Sequence, residues 1–250
     1  MSIPIHSEAD FVKMRAAGKL AANVLDYIEP FVQPGVSSNE LNDLCHKYIV
    51  QNGAIPAPLN YKGFPKSICT SINHVVCHGI PDSRKLKNGD IVNIDVTVIL
   101  KGWHGDTSRM FCVGDVSIKA KKIVQISYET MMKGIETIRP GSTLGDLGYA
   151  MSQHAHNHGF SVVTDYGGHG IGKIFHDEPF VFNYGEPNKG LRLEEGMFFT
   201  VEPMINEGTH KTIVNSVDKW TVTTRDKKLS AQFEHTVAVT KDGYEIFTLS

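Results

Sequence analysis

The apolar residues of this 250-residue chain fall into two alternating rhythms, one of helices and one of strands. From about Ser7 to Ile28, Phe11, Met14, Gly18, Ala21, Leu25 and Ile28 recur at spacings of three and four, which predicts a helix ending before Pro30. Ser37 and Glu40 form a capping-box pair, each side chain able to satisfy the other's free backbone N–H. The helix they open turns Leu41, Leu44 and Tyr48 inward and stops at Asn52-Gly53. A third helix is predicted over about Ser117 to Thr137 and a fourth over about Thr143 to Asn157. In IVNIDVTVI the period is two: Val92, Ile94, Val96 and Val98 share one face, and Asn93, Asp95 and Thr97 the other. MFFTVE repeats the alternation, setting Thr200 and Glu202 opposite Met197, Phe199 and Val201.

The pattern also repeats along the chain. VQPGVSSNELNDLCHKYIVQNGA aligns without a gap to IRPGSTLGDLGYAMSQHAHNHGF, so that Pro34-Gly35 matches Pro140-Gly141 and Gly53 matches Gly159. LKNGDIVNIDV likewise matches LEEGMFFTVEP, which places Asp95 opposite Glu202. Two αβ halves, about 7–115 and 116–250, are expected to pack as one domain about a pseudo-twofold. Each half then offers a carboxylate from the polar face of a central strand, and these converge if the halves pack face to face.

Converging carboxylates repel each other, and burial raises their pKa values, a conflict that a cation resolves. Asp106 in WHGDTSRMFCV and Glu234 in SAQFEHTVAV repeat the order acid, strand, acid in each half, and His169 in YGGHGIG adds an imidazole nitrogen. Asp95, Asp106, His169, Glu202 and Glu234 therefore form an oxygen-rich candidate site for two divalent ions. Such donors favour Mn, Fe or Co over a thiolate zinc site. Taken singly, each residue has a plainer account: a satisfied buried acid, a turn residue, an edge-strand charge or a loop cap. It is their joint placement by the duplication that points to metal.

Other motifs fail. Gly168-x-Gly170-x-Gly172 has no amphipathic helix after it, and His176-x-Glu178-Pro179 lacks the C-x-x-C of a zinc deaminase. Neither H-E-x-x-H nor G-x-S-x-G occurs. A net charge of −2 gives no whole-chain field for nucleic acid. Cys45, Cys69, Cys77 and Cys112 match neither a zinc ribbon nor a disulfide framework and are expected as free thiols. With no signal-peptide pattern at MSIPIHSEADF and no 18-residue apolar run, a cytoplasmic protein with no membrane contact is expected.

INHVVCHGIP, NIDVTVILKGWHGDTSRMF, GGHGIGKIFHDEP, FFTVEPMI and SAQFEHTVAV, in this order, resemble the type I methionine aminopeptidases over about Glu8 to Thr248. With no zinc-finger extension ahead of the catalytic region, the likeness is to the short bacterial form. The resemblance implies an α+β pita-bread fold, a curved, mainly antiparallel sheet backed by four main helices. It implies two divalent ions (Co, Mn, Fe or Zn) bound by Asp95, Asp106, His169, Glu202 and Glu234. Asp106 and Glu234 would bridge the ions, and water held between them would attack the scissile carbonyl while Glu202 shuttles the proton. His78 matches the histidine that contacts the scissile peptide, and His176 the one that stabilises the tetrahedral intermediate. Tyr61, Phe64, Cys69, Phe175 and Trp220 would form the methionine pocket, with Phe64 standing where many relatives carry tyrosine and Pro58 where some carry cysteine. The implied substrate is the N-terminal methionine of nascent chains, met by a monomer in transient contact with the ribosome. A prolidase-like peptidase with the same five ligands is the nearest rival, though such enzymes usually carry a large N-terminal domain. A non-enzymatic interaction module on this fold would have lost its ligands, and all five are present.

Overall fold

The computed structural model describes residues 3–250. Four helices form where the periodicity places them: Glu8–Ile28 (α1), Ser38–Gln51 (α2), Ile118–Ile135 (α3) and Leu144–Asn157 (α4). Ser37 caps α2, and its box with Glu40 is complete. Thr143 and Asp146 build the same box on α4.

The strands are all antiparallel and fall into four sheets. Ile55–Pro56 (β1), Ile91–Leu100 (β4) and Cys69–Ile72 (β2) lie in that order, and Trp103–Cys112 (β5) pairs with β4. Across the molecule, Gly243–Ile246 (β15), His235–Thr240 (β14), Phe198–Val201 (β9), Gly168–Gly170 (β7) and Asp177–Val181 (β8) form the largest sheet. Two three-stranded sheets complete the set. One joins Ser230–Gln232 (β13), Met204–Asn206 (β10) and Ser161–Val162 (β6). The other joins Thr212–Val214 (β11), Val222–Thr224 (β12) and Val75–Cys77 (β3).

Glycines that align along the sequence also share a backbone conformation. Gly35 and Gly141 sit at φ 92° and 89°, Gly53 and Gly159 at 74° and 83°, and Gly89 and Gly196 at 95° and 90°. This left-handed region is strained for any residue with a Cβ, so matched glycines mark matched turns. Gly35 donates to the carbonyl of Leu86, and Gly141 to that of Leu193. Isolated bridges join Ser37 to Lys85 and Thr143 to Arg192.

The core follows the same division. α1 and α2 pack Leu25, Ile28, Leu41 and Ile49 against Val92, Ile94, Val96 and Val98 of β4. α3 and α4 pack Met131, Ile135, Leu147 and Met151 against Phe199, Val201, Val237 and Val239 of β9 and β14. Between these two cores, Phe11 and Met14 of α1 meet Phe198 and Phe247. The polar faces of β4 and β9 thus look away from the helices, toward the space between the sheets.

α1 lies unusually close to β5. A Cβ built on Gly105 would fall 2.4 Å from the carbonyl carbon and oxygen of Ala17, where neither backbone can retreat cheaply. Overfilling of this kind costs about 1–3 kcal/mol. Gly105→Ala is expected to lower the unfolding free energy by that amount, seen as a lower urea midpoint at an unchanged slope; an unchanged midpoint would show that α1 can slide.

Candidate metal centre and substrate cavity

A cavity of about 330 Å³ opens between the sheets, and all twelve residues singled out from the sequence line it. Asp95 reaches it from the middle of β4, directly across from Cys69 of β2. Asp106 lies on β5, opposite Thr97. Glu202 follows the last residue of β9, and His169 is the central residue of β7.

Glu234 stands differently from its expected place inside a strand. It falls between β13 and β14, in a lone bridge to Ser108. Its backbone N–H donates to the Ser108 carbonyl at 3.1 Å, and Thr107 Oγ1 donates to its carbonyl at 2.7 Å. The chain leaves one sheet and enters another at this point, which allows a single residue to serve β5 and the opposite half together.

His169 Nε2 lies 3.6 Å from Asp106 Oδ2 and 3.7 Å from Glu202 Oε1. Donor atoms of Asp106, His169 and Glu234 all lie within 4.8 Å of one another. His169 Nδ1 is 3.0 Å from the Gly170 carbonyl; as the N–H donor there, it leaves the Nε2 lone pair facing the acids.

Electrostatics explain what such a cluster demands. Burial pushes the Asp95 carboxyl up to about 7, against a hydrogen bond from the Cys69 thiol. Burial pushes Glu202 up to about 8, with Asp95 adding to the rise and Thr200 and Gln232 opposing it. Asp106 and Glu234 are held well above the ordinary range, first by burial and then by the neighbouring carboxylates. Burial draws His169 down to about 4, so this imidazole is neutral and able to ligate. Among the described residues no lysine or arginine pairs with these acids. The cationic side chain at the cavity, Lys62, holds its ammonium 5.2 Å over the Tyr61 ring. Two buried and two half-buried acids and a neutral imidazole, without a protein cation, are a donor set that fits hard divalent ions.

A ring of hydrogen bonds orients these groups. Thr97 Oγ1 donates to Asp106 Oδ1 at 2.7 Å, and Thr236 Oγ1 donates to the Asp106 carbonyl at 2.7 Å. Thr200 Oγ1 donates to Glu202 Oε1 at 2.8 Å, and Gln232 Nε2 to Glu202 Oε2 at 3.1 Å. Sequence reading passed over these supports as functional groups. Their signal lay in the strand parity: Thr97 is two residues from Asp95, Thr200 two from Glu202, and Gln232 two from Glu234.

The rest of the cavity divides into a histidine side and an apolar wall. His176 packs between Phe175, Tyr61 and His169, and its Nδ1 lies 3.0 Å from the Tyr61 hydroxyl. Burial, and then His169, draw His176 down to about 3. In the neutral ring, a phenol donating to Nδ1 leaves the proton on Nε2. His78, lowered by burial, sits at φ 55°, a conformation a non-glycine residue holds only when its surroundings fix it. Phe64 packs edge-on against Trp220 at 5.2 Å, and Cys69 is buried beside Asp95. Phe64 is 3% exposed, so a hydroxyl on that ring would need a partner, and its absence leaves an apolar wall.

The sequence model of metallopeptidase family M24 matches residues 12–241. A methionine aminopeptidase of Rickettsia prowazekii is 68% identical over 250 residues, covering 100% of this chain and 96% of its own. The crystal structure of methionine aminopeptidase from Rickettsia prowazekii superposes with a TM-score of 0.99, covering 99% of this chain and 100% of that one. Prolidase from Pyrococcus horikoshii, 22% identical, superposes at 0.76 over 98% of this chain and 63% of its own, a likeness of fold alone. The α+β pita-bread arrangement of antiparallel strands and four helices, the acid-rich cavity and these matches agree: the chain belongs to metallopeptidase family M24, with the methionine aminopeptidases.

Proposed function

We propose that this chain is a metal-dependent aminopeptidase that removes the initiator methionine from new proteins when the second residue is small. The observation that carries this reading is the junction of two environments in one cavity: a neutral-imidazole and carboxylate cluster against a closed apolar wall. Asp95, Asp106, His169, Glu202 and Glu234 would hold divalent ions, two in number, of Co, Mn, Fe or Zn. Bound ions would activate water and polarise the scissile carbonyl.

The chain's own groups then have distinct tasks. Glu202, held by Thr200 and Gln232, takes a proton and returns it to the leaving amine. His176, with its Nε2 proton free of the Tyr61 contact, donates to the developing oxyanion. His78 contacts the scissile peptide. Tyr61, Phe64, Cys69, Phe175 and Trp220 enclose the methionine side chain, whose flexible thioether suits aromatic and sulfur-lined walls.

The matched glycine turns and capping boxes support a single catalytic domain of two pseudo-symmetric halves, about 7–115 and 116–250. The enzyme is read as a cytoplasmic monomer that meets its substrate in transient contact with the ribosome, where new N-termini first become accessible. No helix among the described residues is long and apolar enough to cross a membrane.

A peptide series varying only the second residue, with metal removed in a parallel arm, tests the reading. Rates should fall steeply from Met-Ala to Met-Val to Met-Leu, and chelation should abolish all of them. A P1 norleucine should be tolerated, because one methylene-sized change in an apolar pocket is worth only about 1–3 kcal/mol. Equal rates across the series, or efficient cleavage of X-Pro with X other than methionine, would favour a prolidase-like enzyme.

Glu202→Gln should keep most bound metal yet lose turnover by about 10²-fold or more, since an amide coordinates weakly but accepts no proton. Near-normal turnover in this variant removes Glu202 from proton transfer.

His176→Ala should cost on the order of 10²–10³ in kcat. Tyr61→Phe should cost about tenfold, the value of one hydrogen bond, by releasing the ring tautomer. An unchanged rate in His176→Ala would assign the oxyanion contact elsewhere.

A further inference from the structure

Away from the cavity, α3 and α4 bring a second set of donors together. The two helices lie antiparallel and close: a Cβ on Gly134 of α3 would fall 2.6 Å from Met151 Cγ of α4. Further along the same interface, His154 Nε2 of α4 faces Glu129 Oε2 of α3 at 3.2 Å. His158, four residues on, places its ring centroid 4.5 Å from that of His154. One ligand atom from each of Glu129, His154 and His158 lies within 4.8 Å of the other two. None of the three lines the substrate cavity.

We propose that Glu129, His154 and His158 form a second metal site, selective for zinc-class ions, that ties α3 to the end of α4. Imidazoles four residues apart project from one face of a helix, the spacing on which chelating pairs are built. Zinc bonds of 2.0–2.1 Å in tetrahedral geometry place neighbouring ligand atoms roughly 3.3 Å apart. The His154–Glu129 separation already has that value, and His158 has to close a short remaining gap.

Two of the three ligands are oriented by a partner that leaves the coordinating atom free. His158 Nδ1 lies 2.9 Å from the His154 carbonyl, one of those a helix end leaves without an N–H partner. As the N–H donor there, it leaves the Nε2 lone pair available. Gln125 Nε2 donates to Glu129 Oε1 at 2.8 Å, leaving Oε2 toward His154. Outer contacts of this kind fix tautomer and aim in metal sites. Lys133, one turn beyond Glu129, reaches Glu136 at 2.8 Å instead.

The donor chemistry differs from that of the cavity. Two imidazoles and one carboxylate suit zinc, nickel or copper, while the cavity's four carboxylates and one imidazole form a harder donor set. His154 is 17% exposed and Glu129 35%, so the site is partly desolvated while a water can take a fourth position. Three ligands from two helices make binding a cross-link, and an ion that binds only the folded state stabilises it.

The test is equilibrium dialysis of the tag-free full chain against buffered Zn²⁺, with bound metal counted. The native chain should hold one more zinc than His154→Ala, His158→Ala or Glu129→Gln. Glu129→His, which keeps three donors, should retain that extra ion. The rise in unfolding temperature with Zn²⁺ should shrink in the three depleted variants. In metal-free buffer His158→Ala should unfold within about 2–4 °C of the native chain, and its peptidase rate, assayed with the activating metal restored, should equal the native rate. Equal zinc counts in the native chain and His158→Ala overturn the proposal, and leave His154–Glu129 as an ordinary side-chain contact. Should His154→Ala fail to fold, His158→Ala and Glu129→Gln decide the matter alone.

Discussion

Loss of water around four clustered carboxylates, Asp106 and Glu234 buried and Asp95 and Glu202 half-buried, is the constraint around which this molecule is arranged. Each acid is raised by loss of water, and three are raised further by the other acids. Removing an ionised carboxylate from water costs several kcal/mol even after a protein relaxes around it. Hydrogen bonds from Thr97, Thr200 and Gln232 offset part of that cost, but neutral donors supply no positive charge. Only a scaffold built rigidly from both sides can hold such a cluster open for cations. The two sheets, each backed by its own helix pair and core, provide that rigidity.

The same rigidity lets a polar and an apolar environment meet without mixing. Asp95 and Cys69 are cross-strand neighbours, so one antiparallel step carries the cavity lining from a carboxylate to a buried thiol. On the far side, Phe175 packs against His176 at 4.1 Å, carrying it from imidazole to aromatic wall. A substrate with a charged amine, a reacting carbonyl and an apolar side chain within a few bonds needs this abrupt change of environment.

Much of this was legible in the sequence because it is local or periodic. Helix limits followed from spacing and caps, and the facing of Asp95 and Glu202 from strand alternation. The turns at Gly35 and Gly141 were marked by residue type. Other features were not legible, because their cause is long-range. Thr236 supports Asp106 across 130 positions, and Tyr61 orients His176 across 115, with no pattern in either segment to announce the pairing. The role of Glu234 as a junction between sheets depends on Ser108 being brought beside it, and strand periodicity alone assigned it to a strand interior.

On the proposed pseudo-twofold frame, the chemistry comes from where the two halves differ. Asp95 and Glu202 occupy matched positions, yet Glu202 is one methylene longer and accepts bonds from Thr200 and Gln232. Asp95 has the weak donor of the Cys69 thiol. His169 belongs only to the second half, and with it Phe175 and His176 pack along one side of the cavity. A symmetric pair of carboxylates would hold ions but would leave both halves with the same proton affinity. Unequal hydrogen bonding and a one-sided imidazole set the two acids in different surroundings, as the proposed proton transfer by Glu202 requires.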